Sequence, residues 1–427
     1  MNILFKNIRI INPIQNLDDN YNLWIKNGNI EKIDKNTIEI DTDTEEINAT
    51  GWICSPGLYD MHVHFREPGF EYKEDIDSGA EAAANGGFTG VCVMPNTEPA
   101  IDNITVVNFI KERSKNLLVD VNIAATITQK REGKLLSPML ELSEYGALMF
   151  TDDGSCVMNS EVMKRAFDYA STKDLLISQH CEDHTLTENF VMNESALSGK
   201  LGLKGYPTVA EEIIIARDIT LSEYCGNRKY HVQHISTKGG VYLVKDAKKR
   251  GLRVTTEVTP HHFVTSEEEL VNYNSNFKMN PPLRTKNDIE AIINALKDGT
   301  IDCIATDHAP HAYHEKDVEL EKAPFGIIGL ETSLGLTLTY LYHPGHLSIN
   351  QIIEKMSVNP RKILGLDEIK IQEGIKANLS IFNPEEEWIV DEKKFKSKAN
   401  NCPYIGYKLK GKPKYVINNN KIYKSDI

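Results

Sequence analysis

Apolar and polar positions alternate at the two ends of the chain and recur at helical spacing through its middle. Ile3–Ile11, Leu23–Ile25 and Ile30–Ile33 read as strands, with a turn at Asn27-Gly28-Asn29 and a polar stretch, Asp41–Glu46, before Ile47. The far end repeats this pattern, with strands over Asn378–Phe382, Trp388–Val390, Tyr404–Leu409 and Lys414–Ile417 and a turn at Lys410–Pro413. Between the ends, β-branched runs cover Leu58–His64, Gly90–Met94, Val121–Ile127, Ala147–Thr151, Leu175–His180, Tyr230–His234, Arg253–Thr259 and Cys303–Asp307. Amphipathic stretches alternate with them: Glu74–Asn85, Ile104–Lys115, Ser160–Thr172, Val209–Glu223, Gly240–Arg250 and Asp288–Lys297. Eight such strand units predict an α/β fold, a TIM-type (β/α)8 barrel. A doubly wound sheet would need a Gly-rich phosphate turn after an early strand, and the chain has none. Ends that are remote in sequence yet alike in pattern predict one small β-sandwich built from both termini. The chain then divides into residues 1–54, 55–375 and 376–427.

Composition narrows the classes of function. The 427 residues carry 48 Lys+Arg against 61 Asp+Glu, a net charge of −13. That argues against a nucleic-acid partner, which needs a basic surface. No apolar run reaches the roughly 18–20 residues of a membrane helix, and Met1–Ile10 alternates where a signal peptide would be continuously apolar. A cytoplasmic protein with no membrane partner is the expectation. Its seven cysteines are odd in number and scattered without a C-x-x-C pair, which fits buried thiols in a reducing compartment rather than disulfides or a Cys-rich zinc site.

The strand ends carry the chemistry. In Asp60-Met61-His62-Val63-His64, residues two apart share a face, so His62 and His64 can point together into the barrel mouth. Alone, this H-x-H reads equally well as two hydrogen-bonded histidines. Recurrence decides the matter: Asp152-Asp153 follows the fourth strand, and His180, His234 and Asp307 end the fifth, sixth and eighth. In a TIM barrel these ends converge where active sites lie, so the pattern predicts a binuclear metal site. Imidazole and carboxylate donors favour Zn²⁺, with Mn²⁺, Co²⁺ and Fe²⁺ compatible. Strand parity does not choose between Asp152 and Asp153. Arg66, two beyond His64, is placed to grip a carboxylate bidentately.

The chain resembles the amidohydrolase superfamily and, within it, the class I dihydroorotases. The resemblance spans nearly the whole chain through the ordered blocks DMHVHFREPG, MPNTEP, FTDDG, SQHCED, VQHIST, EVTPHHF, KMNPPLR, ATDHAPH and PFGIIGLET. It implies a metal-dependent barrel with a composite β-sandwich that hydrolyses dihydroorotate to N-carbamoyl-aspartate and, in pyrimidine synthesis, closes the ring in reverse. It implies two Zn²⁺ per subunit: His62, His64 and Asp307 on the first, His180 and His234 on the second, and Asp153 bridging them in place of the carboxylated lysine of many relatives. Asp307 would shuttle the proton between the attacking water and the leaving ring nitrogen. Besides His64 and Arg66, the implied substrate contacts are Asn96, Asn280, His311 and the backbone at Phe325-Gly326. His261 and His262 are expected to support the ligands by hydrogen bonding. His184, His231, His308 and His314 are read as satisfied or solvent-facing. The charged stretch Glu315–Lys322 reads as a mobile lid or a solvated loop.

Three rival readings remain: an allantoinase, a dihydropyrimidinase, or a non-catalytic homologue assembling with aspartate transcarbamoylase. Relatives of the first two usually lack an arginine at the Arg66 position and the MPNT block, and non-catalytic homologues lose ligand positions that are all filled here. The expected partner is a small anionic substrate; a homodimer and association with aspartate transcarbamoylase are left open. An anion drawn to an acidic protein needs local cations, which the metals, Arg66 and His311 would supply.

Overall fold

The computed structural model describes residues 2–427. Five strands open the chain: β1 (Asn2–Asn12), β2 (Leu17–Lys26), β3 (Asn29–Asp34), β4 (Glu45–Asn48) and β5 (Ile53–Pro56). The barrel follows with β6 (Leu58–Val63), β7 (Phe88–Val93), β8 (Asp120–Ala125), β9 (Ala147–Phe150) and β10 (Leu176–Gln179). A short pair, β11 (Met192–Asn193) and β12 (Gly205–Tyr206), sits in the next loop. Three strands complete the barrel: β13 (Tyr230–Val232), β14 (Val254–Val258) and β15 (Cys303–Ile304). The chain then returns to the first sheet with β16 (Leu379–Ile389), β17 (Lys408–Asn418) and β18 (Lys421–Lys424).

The terminal sheet runs β18-β17-β16-β5-β1-β2-β3, with β4 also on β1. β1 is shared: Ile3–Lys6 run parallel to β4, and Arg9–Ile10 run parallel to β5. The change of neighbour falls at a bulge, where Asn7 has φ 57°. The sheet thereby folds over a core of Ile3, Phe5, Ile8 and Ile10 against Leu23, Ile25, Leu379, Ile381 and Ile417. The β2–β3 turn falls at Asn27-Gly28 as expected, both at positive φ, the conformation that a tight two-residue hairpin turn demands.

The expected turn at Lys410–Pro413 is not there; those residues lie inside β17, and the two separate strands expected before it are one strand, β16. Two register shifts absorb the turn-forming residues, at Ile381/Phe382 and at Asn383/Glu387. Pro413 stands opposite Phe382 beside the first of these shifts, where the ladder is already interrupted and a missing N–H is tolerated.

Eight parallel strands in the order β6 to β10, then β13 to β15, form the barrel. The eighth strand is shorter than expected, two residues of ladder, and side chains take over the seam. Asp60 accepts the Thr306 N–H, and the His64 N–H donates to His308 O at 2.8 Å. The helices bury one face each on the strands. Ile76–Asn85 starts at a capping box of Asp75 and Ser78 and packs its alanines inward. Among the described residues no helix is long and apolar enough to cross a membrane, and all seven cysteines are free and buried.

Between β16 and β17 the chain leaves the sheet and straps itself across the barrel. Glu331 holds this strap, its carboxylate accepting from Lys396 N and Asn85 Nδ2, both at 2.7 Å. Burial outweighs these bonds and raises the Glu331 pKa from 4.5 to about 7. A folded-state pKa above the unfolded one contributes stability that is complete below pH 4.5 and lost as pH rises through 7, a span worth about 3 kcal/mol. Glu331→Gln is therefore expected to flatten this dependence, so that urea unfolding at pH 5 and pH 8 gives the variant its advantage only at the higher pH.

Candidate metal centre and active site

Four histidines and two carboxylates meet at the C-terminal ends of the barrel strands, and hydrogen bonds set which ring nitrogen each histidine offers. His62 Nδ1 donates to Glu257 Oε1 at 2.6 Å, and His64 Nδ1 donates to Asn96 Oδ1 at 2.7 Å. Their Nε2 lone pairs thus face inward. His62 Nε2 is buried without a hydrogen-bond partner, 3.4 Å from Asp153 and 3.5 Å from Asp307. His64 Nε2 lies 2.9 Å from Asp307 Oδ1 and 3.5 Å from Asp153 Oδ2. On the other side His180 Nε2 donates to Glu182 Oε2 at 2.8 Å, which turns its Nδ1 toward His234 Nε2 at 2.9 Å. His234 Nε2 in turn stands 3.7 Å from Asp153. Two trios, His62–His64–Asp153 and Asp153–His180–His234, share Asp153 and have the spacing of metal ligands. The field has the matching sign: burial disfavours an imidazolium at His62, yet Glu257, Asp153 and Asp307 push its pKa well above the usual value. Inward lone pairs, an orphaned ring nitrogen and carboxylates that favour positive charge fit divalent cations.

The structure resolves the choice that strand parity left open. Asp152 turns away and caps the preceding loop, accepting from Ile127 N and Thr128 N at 2.9 Å, while Asp153 faces the histidines. Its backbone is held by Arg131, which donates to Asp153 O at 2.6 Å. Three residues of the site have left-handed backbones: Arg66 at φ 64°, His234 at φ 29° and Asp307 at φ 49°. Non-glycine residues adopt this conformation only where their surroundings enforce it, at a cost of order 1–3 kcal/mol each.

Beneath the histidines, Glu257 is 1% exposed and serves several donors. Besides His62 Nδ1, Oε1 takes the His234 N–H at 3.3 Å, and Oε2 lies 3.3 Å from His231 Nε2. His231, Glu257 and Cys303 form a third grouping with ligand-like spacing, but the carboxylate is already engaged in orienting His62.

The mouth is a cavity of about 210 Å³ lined by His64, Arg66, Asn96, Asp153, Gly154, His180, His234, Asn280, Asp307, Ala309, His311, Phe325 and Gly326. Every site residue expected from sequence lines it except His62, which lies just below. Its size suits a compact polar molecule, falling under the roughly 300–1,000 Å³ usual for small-molecule sites. A larger cavity of about 330 Å³, lined by Leu176, Lys229, Arg253 and their neighbours, sits at the opposite ends of the strands and holds no histidine. Arg66 is half-buried; desolvation lowers its pKa to about 10, so it is still charged at neutral pH, and Nε donates to Pro310 O at 3.2 Å. Asn96 has its oxygen committed to His64. Asn280 is the converse: its Nδ2 donates to Glu182 at 2.8 Å and its Oδ1 is buried without a partner. Burial, with Arg66 and Lys73 nearby, lowers the His311 pKa to about 3, so the ring is neutral and donates from Nε2 to Phe325 O at 2.8 Å.

Several functional neighbours were missed from sequence. Glu182 and Glu257 sit in the blocks SQHCED and EVTPHHF, where only the histidines drew notice; Arg131 and Asn401 carry no motif. His262 bonds Thr259 Oγ1 at 2.7 Å and Pro281 O at 3.1 Å, so it braces neighbouring loops rather than the metal-facing side chains it was expected to support. His231 and His308 are buried, not solvent-facing. The Glu315–Lys322 stretch is anchored by buried Lys316 and Leu320.

A terminal β-sandwich beside a (β/α)8 barrel, with histidines and aspartates gathered at the barrel mouth, defines the amidohydrolase class of fold. Solved structures agree: an L-hydantoinase (dihydropyrimidinase) from Arthrobacter aurescens superposes with TM-score 0.86 at 23% identity, covering 99% of this chain and 96% of that one. A D-hydantoinase matches with TM-score 0.85 at 21% identity, covering 100% and 96%. Sequence comparison is more specific. The family profile described as Dihydro-orotase-like matches residues 51–240. A dihydroorotase of Syntrophus aciditrophicus is 47% identical over 96% of each chain. One of Clostridioides difficile is 49% identical over 98% of this chain and 99% of its own. The chain belongs to the dihydroorotase family.

Because Glu257 orients His62 and holds the His234 backbone, Glu257→Gln is expected to weaken divalent-metal binding by about 10–100-fold, measured by competition with a chromogenic chelator.

Proposed function

We infer that the chain hydrolyses the ring amide of dihydroorotate reversibly to N-carbamoyl-aspartate, and that in pyrimidine synthesis it runs toward ring closure. One observation carries this reading: Arg66 is a half-buried guanidinium lining the mouth whose side-chain hydrogen bond goes to a backbone carbonyl, so its charge is free for a substrate carboxylate.

His62, His64 and Asp307 would hold one cation, His180 and His234 a second, with Asp153 between them. Two Zn²⁺ ions are the proposed set; bound there, they lower the pKa of water and polarise the amide carbonyl. Asp307 is the proton carrier. Burial works against its charge, but His62, His64 and His234 keep its pKa below 3.8, so it is ionised and able to accept a proton at neutral pH. It takes a proton from the attacking water and passes it to the ring nitrogen that leaves. Arg66 binds the carboxylate. Asn96, its oxygen engaged, presents N–H donors to the ureide, and Asn280 presents an acceptor. His311 braces Phe325, and Gly326, at φ 123°, brings the backbone close to the ring.

Arg66 also weighs against an allantoinase or dihydropyrimidinase, and filled ligand positions weigh against a non-catalytic partner protein. The proposed division at 1–54, 55–375 and 376–427 lies close to the passage from sheet to barrel, which falls at Gly57 between β5 and β6, and to the return at β16. Seven free thiols suit a cytoplasmic location. A homodimer and docking of aspartate transcarbamoylase are compatible with the reading, and size-exclusion chromatography with and without that enzyme tests both.

Turnover assays on dihydroorotate, allantoin and dihydrouracil, with metal analysis of the same sample, test the proposal. Activity on dihydroorotate and near two metals per chain are expected; activity confined to the other substrates overturns it. Arg66→Met is expected to weaken dihydroorotate binding by about 2–5 kcal/mol, read as a raised KM, and an unchanged KM removes the carboxylate grip.

A further inference from the structure

Two buried side chains converge on the substrate wall without lining the cavity. Asn401, in the strap between β16 and β17, is 2% exposed, and Lys316 is 5% exposed. Asn401 Nδ2 donates to Ala309 O and to Gly326 O, both at 3.1 Å, and its Oδ1 accepts the His311 N–H at 3.2 Å. Lys316 Nζ donates to Pro324 O at 2.9 Å, to Gly326 O at 3.1 Å and to Lys278 O at 3.3 Å. Gly326 O is therefore gripped from two sides, while the Gly326 N–H donates to Lys278 O at 3.0 Å. Three segments are tied together in this way: Ala309–His311, Pro324–Gly326, and the chain leading to Asn280. The packing leaves no slack, since a Cβ at Gly326 would stand 2.7 Å from Ala309 Cβ.

We propose that Lys316 and Asn401 are positioning residues that fix the spacing of these segments, so that substrate affinity depends on a residue contributed by the strap. The proposal rests on the reading that the 210 Å³ cavity holds the substrate. Neither residue approaches the metal-facing groups; each satisfies backbone carbonyls that would otherwise be buried without a donor. A purely stabilising role would lower the melting temperature and leave the wall intact in the folded fraction. A positioning role loosens the wall in the folded enzyme itself.

Lys316→Met keeps the apolar stem and removes the donors. Asn401→Asp keeps the acceptor for His311 and turns an oxygen toward the two carbonyls. In folded enzyme, KM for dihydroorotate is expected to rise roughly tenfold or more while kcat and metal content stay near the parent's. Amide hydrogen exchange, followed without substrate, should quicken roughly tenfold or more at 309–311 and 324–328, with the barrel strands still protected. Folded variants with unchanged KM and unchanged exchange overturn the proposal, as does loss of cooperative unfolding in both. A change in one variant alone assigns the role to that residue and removes it from the other. If the parent enzyme does not turn over dihydroorotate, the failure belongs to the substrate assignment, and the exchange measurement decides the positioning role by itself.

Discussion

His180 Nδ1 presents a lone pair to His234 Nε2 at 2.9 Å, in the middle of the histidine cluster. Glu182 has taken the proton-bearing side of His180, so its Nδ1 keeps a lone pair for either a proton on His234 Nε2 or a cation. The same logic governs His62 and His64, whose outward nitrogens are committed to Glu257 and Asn96. Concentrating electron pairs in a dry cavity is unfavourable unless positive charge arrives, and much of the surrounding structure serves to hold them there. It accounts for the buried Glu257 shared among His62, His231 and the His234 backbone, for the left-handed backbones of His234 and Asp307, and for Arg131 pinning the Asp153 segment.

Chemistry that repeats at strand ends was legible in sequence, because a parallel barrel delivers the ends of its strands to one face whatever the loops do. His62, His180, His234 and Asp307 needed only strand positions to be placed together. Asp152 and Asp153 were not separable in that way; one caps a loop and the other faces the histidines, a difference set by the Ile127 and Thr128 amides. Side chains that act on backbone were not legible either. Asn401 and Lys316 bind carbonyls brought near by tertiary packing, and no spacing in the chain announces such an acceptor. The turn expected at Lys410–Pro413 failed for a related reason: glycine and proline mark turns locally, but a strand pair with shifted register accommodates both.

The formal charge of −13 describes the surface better than the site. At the mouth, half-buried Arg66 spends its side-chain hydrogen bond on a backbone carbonyl and keeps its charge, while His311 is held neutral. An anion meets a guanidinium there, although the protein as a whole would repel it. Asn96 and Asn280 divide the remaining work by polarity, one left with donors and the other with an acceptor. In the proposed reading a cyclic ureide with a carboxylate would satisfy all three at once, which a neutral ring amide would not.

The strap gives the enzyme an order of assembly. Asp307 is the last of the residues facing this cluster to leave the ribosome, yet the wall beside it is not tied until Asn401 follows, and the sheet that β1 and β5 begin waits longer still, since it is completed only by β16 to β18. Contacts of such long sequence separation close late and slowly. A nascent chain thus holds the whole cluster of histidines and aspartates before the wall of the mouth is tied, and the cavity takes its shape only in the nearly finished polypeptide.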